Sequence, residues 1–280
     1  MNQKTKRNLF ISLGIILVVV ILFIILILTS PKTSKQSTQS TNSSGTKPAP
    51  AAIVNDVTNV PETTLNAVGI GTANNKPIPI KAPNLLANNK PEVLYEGAEF
   101  CPYCATERWA MAVALSKFGT FTNLQETHSS TTDVYPNTQT LSFYKSTYTS
   151  NYITFTPIEI ETNISNGNGG YTTLQTPTKT ENNIINKYDA TPYLPSQDAG
   201  AIPFIDFGGK YLIAGATYNP QVLQGKSHSQ IASALADSKS PIAQGADGAA
   251  NIIIATICKI TNNQPSTACT PLIKEIEKNI

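Results

Sequence analysis

The sequence predicts an α/β sandwich, a central sheet with flanking helices and a large insertion, preceded by one transmembrane helix. Three observations predict it. An apolar strand runs into the helix formers around Cys101 and Cys104. Two strand-like runs flank Gly208-Gly209, the signal for a tight reversal. Residues 9–28 carry no charge at all.

Residues 1–8 hold Lys4, Lys6 and Arg7 and read as a cytoplasmic N-terminus. The run LFISLGIILVVVILFIILIL follows. As a helix rising ~1.5 Å per residue it reaches ~30 Å, the thickness of a bilayer's hydrocarbon. Its β-branched residues do not oppose a helix, because in lipid each backbone group must be satisfied within the segment. Basic residues ahead of the run keep the N-terminus inside and send the rest outside. Lys32 and Lys35 behind it make that bias modest. A cleaved signal peptide has a shorter apolar region and an A-x-A-like site. Leu28-Thr29-Ser30-Pro31 offers none, so residues 9–29 read as an uncleaved anchor. Residues 30–50, SPKTSKQSTQSTNSSGTKPAP, cannot build an apolar face and read as a flexible tether. Asn42 and Asn163 each open an N-x-S sequon.

Residues 51–280 suffice for one extracytoplasmic domain with an insertion. With a net charge of +2 and no Lys/Arg cluster beyond the N-terminus, nothing supports nucleic-acid binding. Asn59 is placed to cap a helix that Gly69 and Gly71 end. Lys90-Pro91 leads into a strand at 92–95. PYCATERWAMAVALSK then forms a helix whose Ala105, Trp109, Ala112 and Val113 share one face, with Gly119 closing it. That face makes Trp109 a core residue. Further strands are predicted at 121–127, 141–144 and 153–156, and a loop at 163–170. A helix follows Pro177, the hairpin spans 201–216, and helices cover 229–236, 249–260 and 272–278. Nothing repeats, which excludes a solenoid.

The chemistry sits at Cys101-Pro102-Tyr103-Cys104. A strand delivering C-x-x-C to a helix start puts Cys101 at or near the N-cap, where unpaired N–H groups and the dipole favour a thiolate. Pro102 suits the first helical position. Cys104, one turn along, is the resolving thiol, and Cys101 attacks. An inert disulfide is the competing reading, yet so short a loop closes little chain entropy. A zinc site would need His128, His228, Cys258 or Cys269, and their spacing fits no structural zinc motif. No metal or cofactor is expected. Tyr103, held between the cysteines, lies near the surface and is placed to contact a substrate chain. Cys258 and Cys269 read as a structural disulfide that docks the last helix, worth about 2–3 kcal/mol, with a redox relay as the alternative. Gly208-Gly209 is turn geometry, since no phosphate-binding pattern follows it.

YEGAEFCPYCATERW resembles the active-site region of the thioredoxin-like superfamily, and its Pro-Tyr between the cysteines is similar to glutaredoxins. The resemblance implies a thioredoxin-like central sheet, and a cis Pro203 facing the cysteines with Ile202 and Pro203 in the substrate surface. The blocks KPEVLYEGAEFCPYCATERWAMAVALSKFGTF, DVYPNTQTLSFYKSTY and IPFIDFGGKY resemble a family of membrane-anchored thioredoxin-like proteins, domain of unknown function 929. That likeness runs from about residue 61 onward. Two departures stand out. Tyr95 occupies the position where thioredoxins usually keep a buried aspartate, which leaves only Glu99 and Glu107 as candidates to take the Cys104 proton. The interval from Cys104 to Pro203 is long, which places an insertion within 121–199.

The expectation is an extracytoplasmic, membrane-tethered thiol–disulfide oxidoreductase. Its partners would be exported proteins with thiols or disulfides, an unidentified redox partner, and the lipid bilayer through residues 9–29. The alternative is a cell-surface binding or structural domain that uses Cys101–Cys104 as a permanent staple.

Overall fold

The computed structural model describes residues 45–280, so the predicted anchor and most of the tether lie outside the described residues. Among the described residues no helix is long and apolar enough to cross a membrane. The chain opens with β1 (Lys47–Pro48), α1 (Ala51–Thr58), α2 (Glu62–Val68), β2 (Ile78–Pro79), β3 (Leu86–Ala87) and β4 (Lys90–Gly97). Then come α3 (Pro102–Leu115), β5 (Gly119–Thr122), β6 (Gln125–His128), β7 (Gln139–Ser142), β8 (Thr147–Ser150) and β9 (Thr154–Glu159). β10 (Glu161–Ser165), β11 (Tyr171–Thr173), α4 (Lys179–Tyr188), β12 (Phe204–Phe207) and β13 (Tyr211–Ala214) follow. A 3-10 turn (Pro220–Leu223) leads to α5 (His228–Ala234), α6 (Pro241–Ile260) and α7 (Pro271–Glu277).

The main sheet has six strands in the order β2-β13-β12-β4-β3, with β9 also on β4. β12 runs antiparallel to β4, pairing Phe204 with Glu96 and Phe207 with Val93. β9 runs parallel to it, pairing Glu92 with Thr154 and Gly97 with Glu159. Side chains alternate across the sheet. Val93, Tyr95, Ile205, Phe207 and Ile213 pack into the core that holds Trp109 of α3 and Ile253 of α6. Leu94, Phe204 and Leu212 face the other way, onto Ile185 and Tyr188 of α4. Helices therefore cover both faces. The turn between β12 and β13 uses two left-handed glycines, Gly208 at φ 65° and Gly209 at φ 70°.

Several elements differ from expectation, each for a physical reason. The chain joins the domain before residue 51: Lys47 of β1 pairs with Glu126 of β6. Asn59 is the C-cap of α1, and Pro61 takes the N-cap position of α2 without a side-chain bond. Gly119 opens β5 rather than closing α3, because a Cβ there would stand 2.3 Å from the Thr149 carbonyl oxygen. The predicted strand at 121–127 is two strands, and part of the predicted loop at 163–170 is β10. α3 is buried on every side except Tyr103, since sheet, α6 and β7 enclose it, so its one-sided pattern understated its burial. α6 begins eight residues earlier than predicted, at Pro241 rather than residue 249. Gly245 and Gly248 lie within it and serve close approach, a Cβ on Gly245 meeting the Tyr218 ring at 2.5 Å. Within the predicted insertion, β9 belongs to the main sheet, paired with β4.

Candidate functional site

Two backbone decisions place the cysteines. β4 ends at Gly97, and Cys101 then takes extended angles (φ −77°, ψ 122°) as the N-cap of α3, with Pro102 next. The Cys101 sulfur accepts the Cys104 backbone N–H at 3.2 Å, the bond a cap residue makes. The Cys101 thiol also donates to the Ile202 carbonyl at 3.7 Å. Ile202-Pro203 is a cis peptide, and the Pro203 carbonyl accepts the Gly215 N–H at 2.8 Å. The structure thus brings together Cys101, Cys104, Ile202 and Pro203 at one end of the sheet. Both cysteines are free thiols.

Their electrostatics differ. A hydrogen bond from the Cys104 thiol pulls the Cys101 pKa down, the Cys104 and Tyr103 N–H groups and Arg108 add to it, and burial opposes. Burial holds the Cys104 thiol well above the ordinary thiol range, and neighbouring Cys101 adds to that rise. Cys101 keeps 5% exposure and Cys104 none, so a partner can reach only the first sulfur.

Tyr103 is 40% exposed and meets Tyr135 edge-on at 6.1 Å. With Asn74, Tyr218 and Asn219 these tyrosines line a shallow cavity of about 250 Å³. On another side β11 and the loop after β6 brace the loop ahead of Cys101. Phe100 stacks on Tyr171 at 4.2 Å, the Tyr171 hydroxyl donates to Ser130 Oγ at 2.7 Å, and the Ser130 N–H donates to the Phe100 carbonyl. Tyr135 and Tyr171 carried no sequence signal, because they sit in loops and strands far along the chain.

Neither carboxylate proposed from the sequence reaches Cys104 with a hydrogen bond. Glu99 accepts bonds from Thr46 and Ser142, at 2.9 and 2.8 Å. Glu107 accepts from the Thr217 backbone and hydroxyl, and burial still raises its pKa to about 7. A different charged pair lies beside the cysteine helix. Arg108 donates from Nε and Nη2 to both oxygens of Glu159, at 2.8 and 2.6 Å, and the pair is wholly buried. Arg108 stands four residues after Cys104, a spacing that was legible. Its partner on β9 was not.

The remaining candidates lie elsewhere. Trp109 is buried, its indole N–H donating to the Gln139 carbonyl. The His228 Nε2 sits between the Thr127 and Thr140 carbonyls, and His128 lies against Asn163, so the histidines are apart from the cysteines. Cys258 and Cys269 are joined, with an S–S distance of 1.99 Å. A cleft of about 940 Å³ lies at the opposite end of the sheet and is lined by Lys81, Lys210, Lys259, Lys274 and Lys278 among others.

The family model described as Domain of unknown function (DUF929) matches residues 76–259, and the chain belongs to that family. The match takes in β4, the cysteine helix, the hairpin and nearly all of α6, but not Cys269. No curated protein and no solved structure matches the chain.

Proposed function

We propose that this protein is a thiol–disulfide oxidoreductase of thioredoxin-like type, tethered to a membrane and acting on exported proteins. One observation carries the reading: Cys101 caps a helix with its sulfur in contact with the backbone carbonyl that precedes cis Pro203. A structural staple needs none of that. The Cys101 thiolate attacks a substrate disulfide, a mixed disulfide forms, and one substrate thiolate leaves. Cys104 then attacks the Cys101 sulfur, closing the Cys101–Cys104 bond and releasing the second substrate thiol. Two electrons pass to the substrate; with an oxidised enzyme the same steps run in reverse. The uncharged run at 9–28, with basic residues before it, supports a single anchor and an extracytoplasmic domain.

The test is covalent trapping. In C104S, attack can proceed but resolution cannot, so mixed disulfides with exported proteins should accumulate on a non-reducing gel and vanish on reduction. In C101S they should be scarce. Equal trapping by both variants would reverse the assigned order. No trapping, together with no turnover by the wild type, would favour the binding-domain reading.

A further inference from the structure

A guanidinium with no exposed surface is rare unless its donors are matched. Arg108 has no exposure, and two of its three nitrogens are matched: Nε and Nη2 hold Glu159, and Nη2 also donates to the Ala98 carbonyl at 2.6 Å. Among the described residues its Nη1, which is buried, has no hydrogen-bond partner. That leaves two N–H donors unmatched in a low-dielectric site.

Cys104 lies on the same helical face, one turn back. Ala98 joins the two: its carbonyl accepts from Arg108, and it packs in one buried cluster with Cys101 and Cys104. The neighbouring Tyr95 hydroxyl is also buried and without a partner, tucked where a Cβ on Gly97 would stand 2.1 Å away. No carboxylate is bonded to Cys104. The ionisable groups that face it are Cys101, Arg108 and Tyr95, with Glu159 and Glu99 reaching it through Arg108.

We propose that Arg108 is a positioning residue of the resolving step, held by Glu159 and the Ala98 carbonyl so that its charge stabilises the Cys104 thiolate as that thiolate forms. The proposal rests on the thiol-exchange reading above. Burial and the Cys101 sulfur hold the Cys104 proton on, and Arg108 is the one side chain that opposes them. Once Cys101 is tied in a mixed disulfide it carries no negative charge, so the Arg108 contribution then faces burial alone. The step balances as follows. Cys104 loses its proton to solvent, its sulfur bonds the Cys101 sulfur, and the Cys101–substrate S–S bond breaks. The substrate leaves as a thiolate and takes up a proton.

The experiment uses an aromatic disulfide reagent that releases one coloured thiolate when Cys101 attacks and a second when Cys104 resolves. The second phase, followed against pH, reports the ionisation of Cys104. R108Q should move its midpoint up by about one unit and slow it about tenfold at neutral pH relative to the first phase. R108K, which restores charge without the fork, should recover part of that loss. R108Q leaves Glu159 buried and alone, so R108Q/E159Q is the companion in which both members are neutral. With Arg108 intact, alkylation of C101S should give a Cys104 midpoint lower than in C101S/R108Q. An unshifted second-phase midpoint in either folded variant would overturn the proposal, as would a Cys104 midpoint in C101S that R108Q does not move. A wild type without any second phase would remove both the proposal and the exchange reading. Normal two-phase release with no exported protein ever trapped would remove only the assigned substrates.

Discussion

The two cysteine pairs of this chain are built from opposite materials. Cys258 lies near the end of α6 and Cys269 before α7, within an apolar cluster that includes Ile254, Ala268 and Ile273. They are already joined, and the bond ties the last helix to the long one. Cys101 and Cys104 sit where a strand meets a helix start, against unpaired N–H groups and a buried Arg–Glu pair. Their sulfurs differ in exposure and in pKa direction. On the proposed reading, the contrast means that the surroundings of a cysteine pair decide whether it staples or exchanges, since the sulfur chemistry is the same in both places.

The sharpest way to break that contrast is to remove one sulfur from each pair. C101S should abolish exchange with any disulfide substrate and leave thermal stability within about 0.5 kcal/mol, because the serine keeps a cap acceptor. C258S should do the reverse. It opens a loop with a sequence separation of 11, for which the chain-entropy cost is about 2–3 kcal/mol, while exchange continues. Parallel melting curves and turnover assays on the two variants decide it. Loss of exchange in a still-folded C258S would make that pair a relay.

A smaller effect comes from α6 itself. Asp247 is buried there with neither carboxyl oxygen bonded, in contrast to the fully paired Glu159. Burial raises its pKa to about 8, and only Lys117 opposes that rise. In the unfolded chain an aspartate titrates near 3.9. The folded state therefore binds more protons between about pH 4 and pH 8, and the stability from this group falls as pH rises through that window. D247N should remove the slope and stabilise the protein by about 1–3 kcal/mol at pH 8, with little gain at pH 4. Melting temperatures at the two pH values check it; an equal shift at both would mean that Asp247 is not the titrating group.

What could be read in advance follows the range of each interaction. The cap, the proline at the first helical turn and the glycine pair of the hairpin act over a few residues, so the form of 95–109 and 201–216 was legible. The Arg108–Glu159 pair spans 51 positions and exists only because β9 lies parallel to β4, which no local pattern encodes. The same reason hides the basic cleft. Its lysines are scattered from Lys81 to Lys278, so the sequence shows no cluster, and the fold assembles one at the sheet end far from Cys101. The close approach at Gly245 and Gly248 is hidden for the same reason. A glycine that ends a helix and one that lets a helix approach its neighbour look identical until the neighbour is known.

The smallest predicted effect tests which parts of the cysteine site face the substrate rather than the chemistry. Tyr103 lies between the two cysteines but is the exposed member of an otherwise buried helix. Its ring touches Tyr135 and borders the shallow cavity, and neither cysteine depends on its side chain: only its backbone N–H contributes to Cys101. Y103A should therefore leave reaction with a small-molecule disulfide within about twofold. It should lower kcat/KM for polypeptide disulfides roughly three- to tenfold, as expected for a single aromatic at the edge of a contact surface. Y135A should reproduce the polypeptide effect, and the double variant should lose less than the sum if the two rings act as one surface. An equal loss on small and polypeptide substrates would place Tyr103 in the chemistry of the pair and erase the distinction between a reactive sulfur and the surface that presents it.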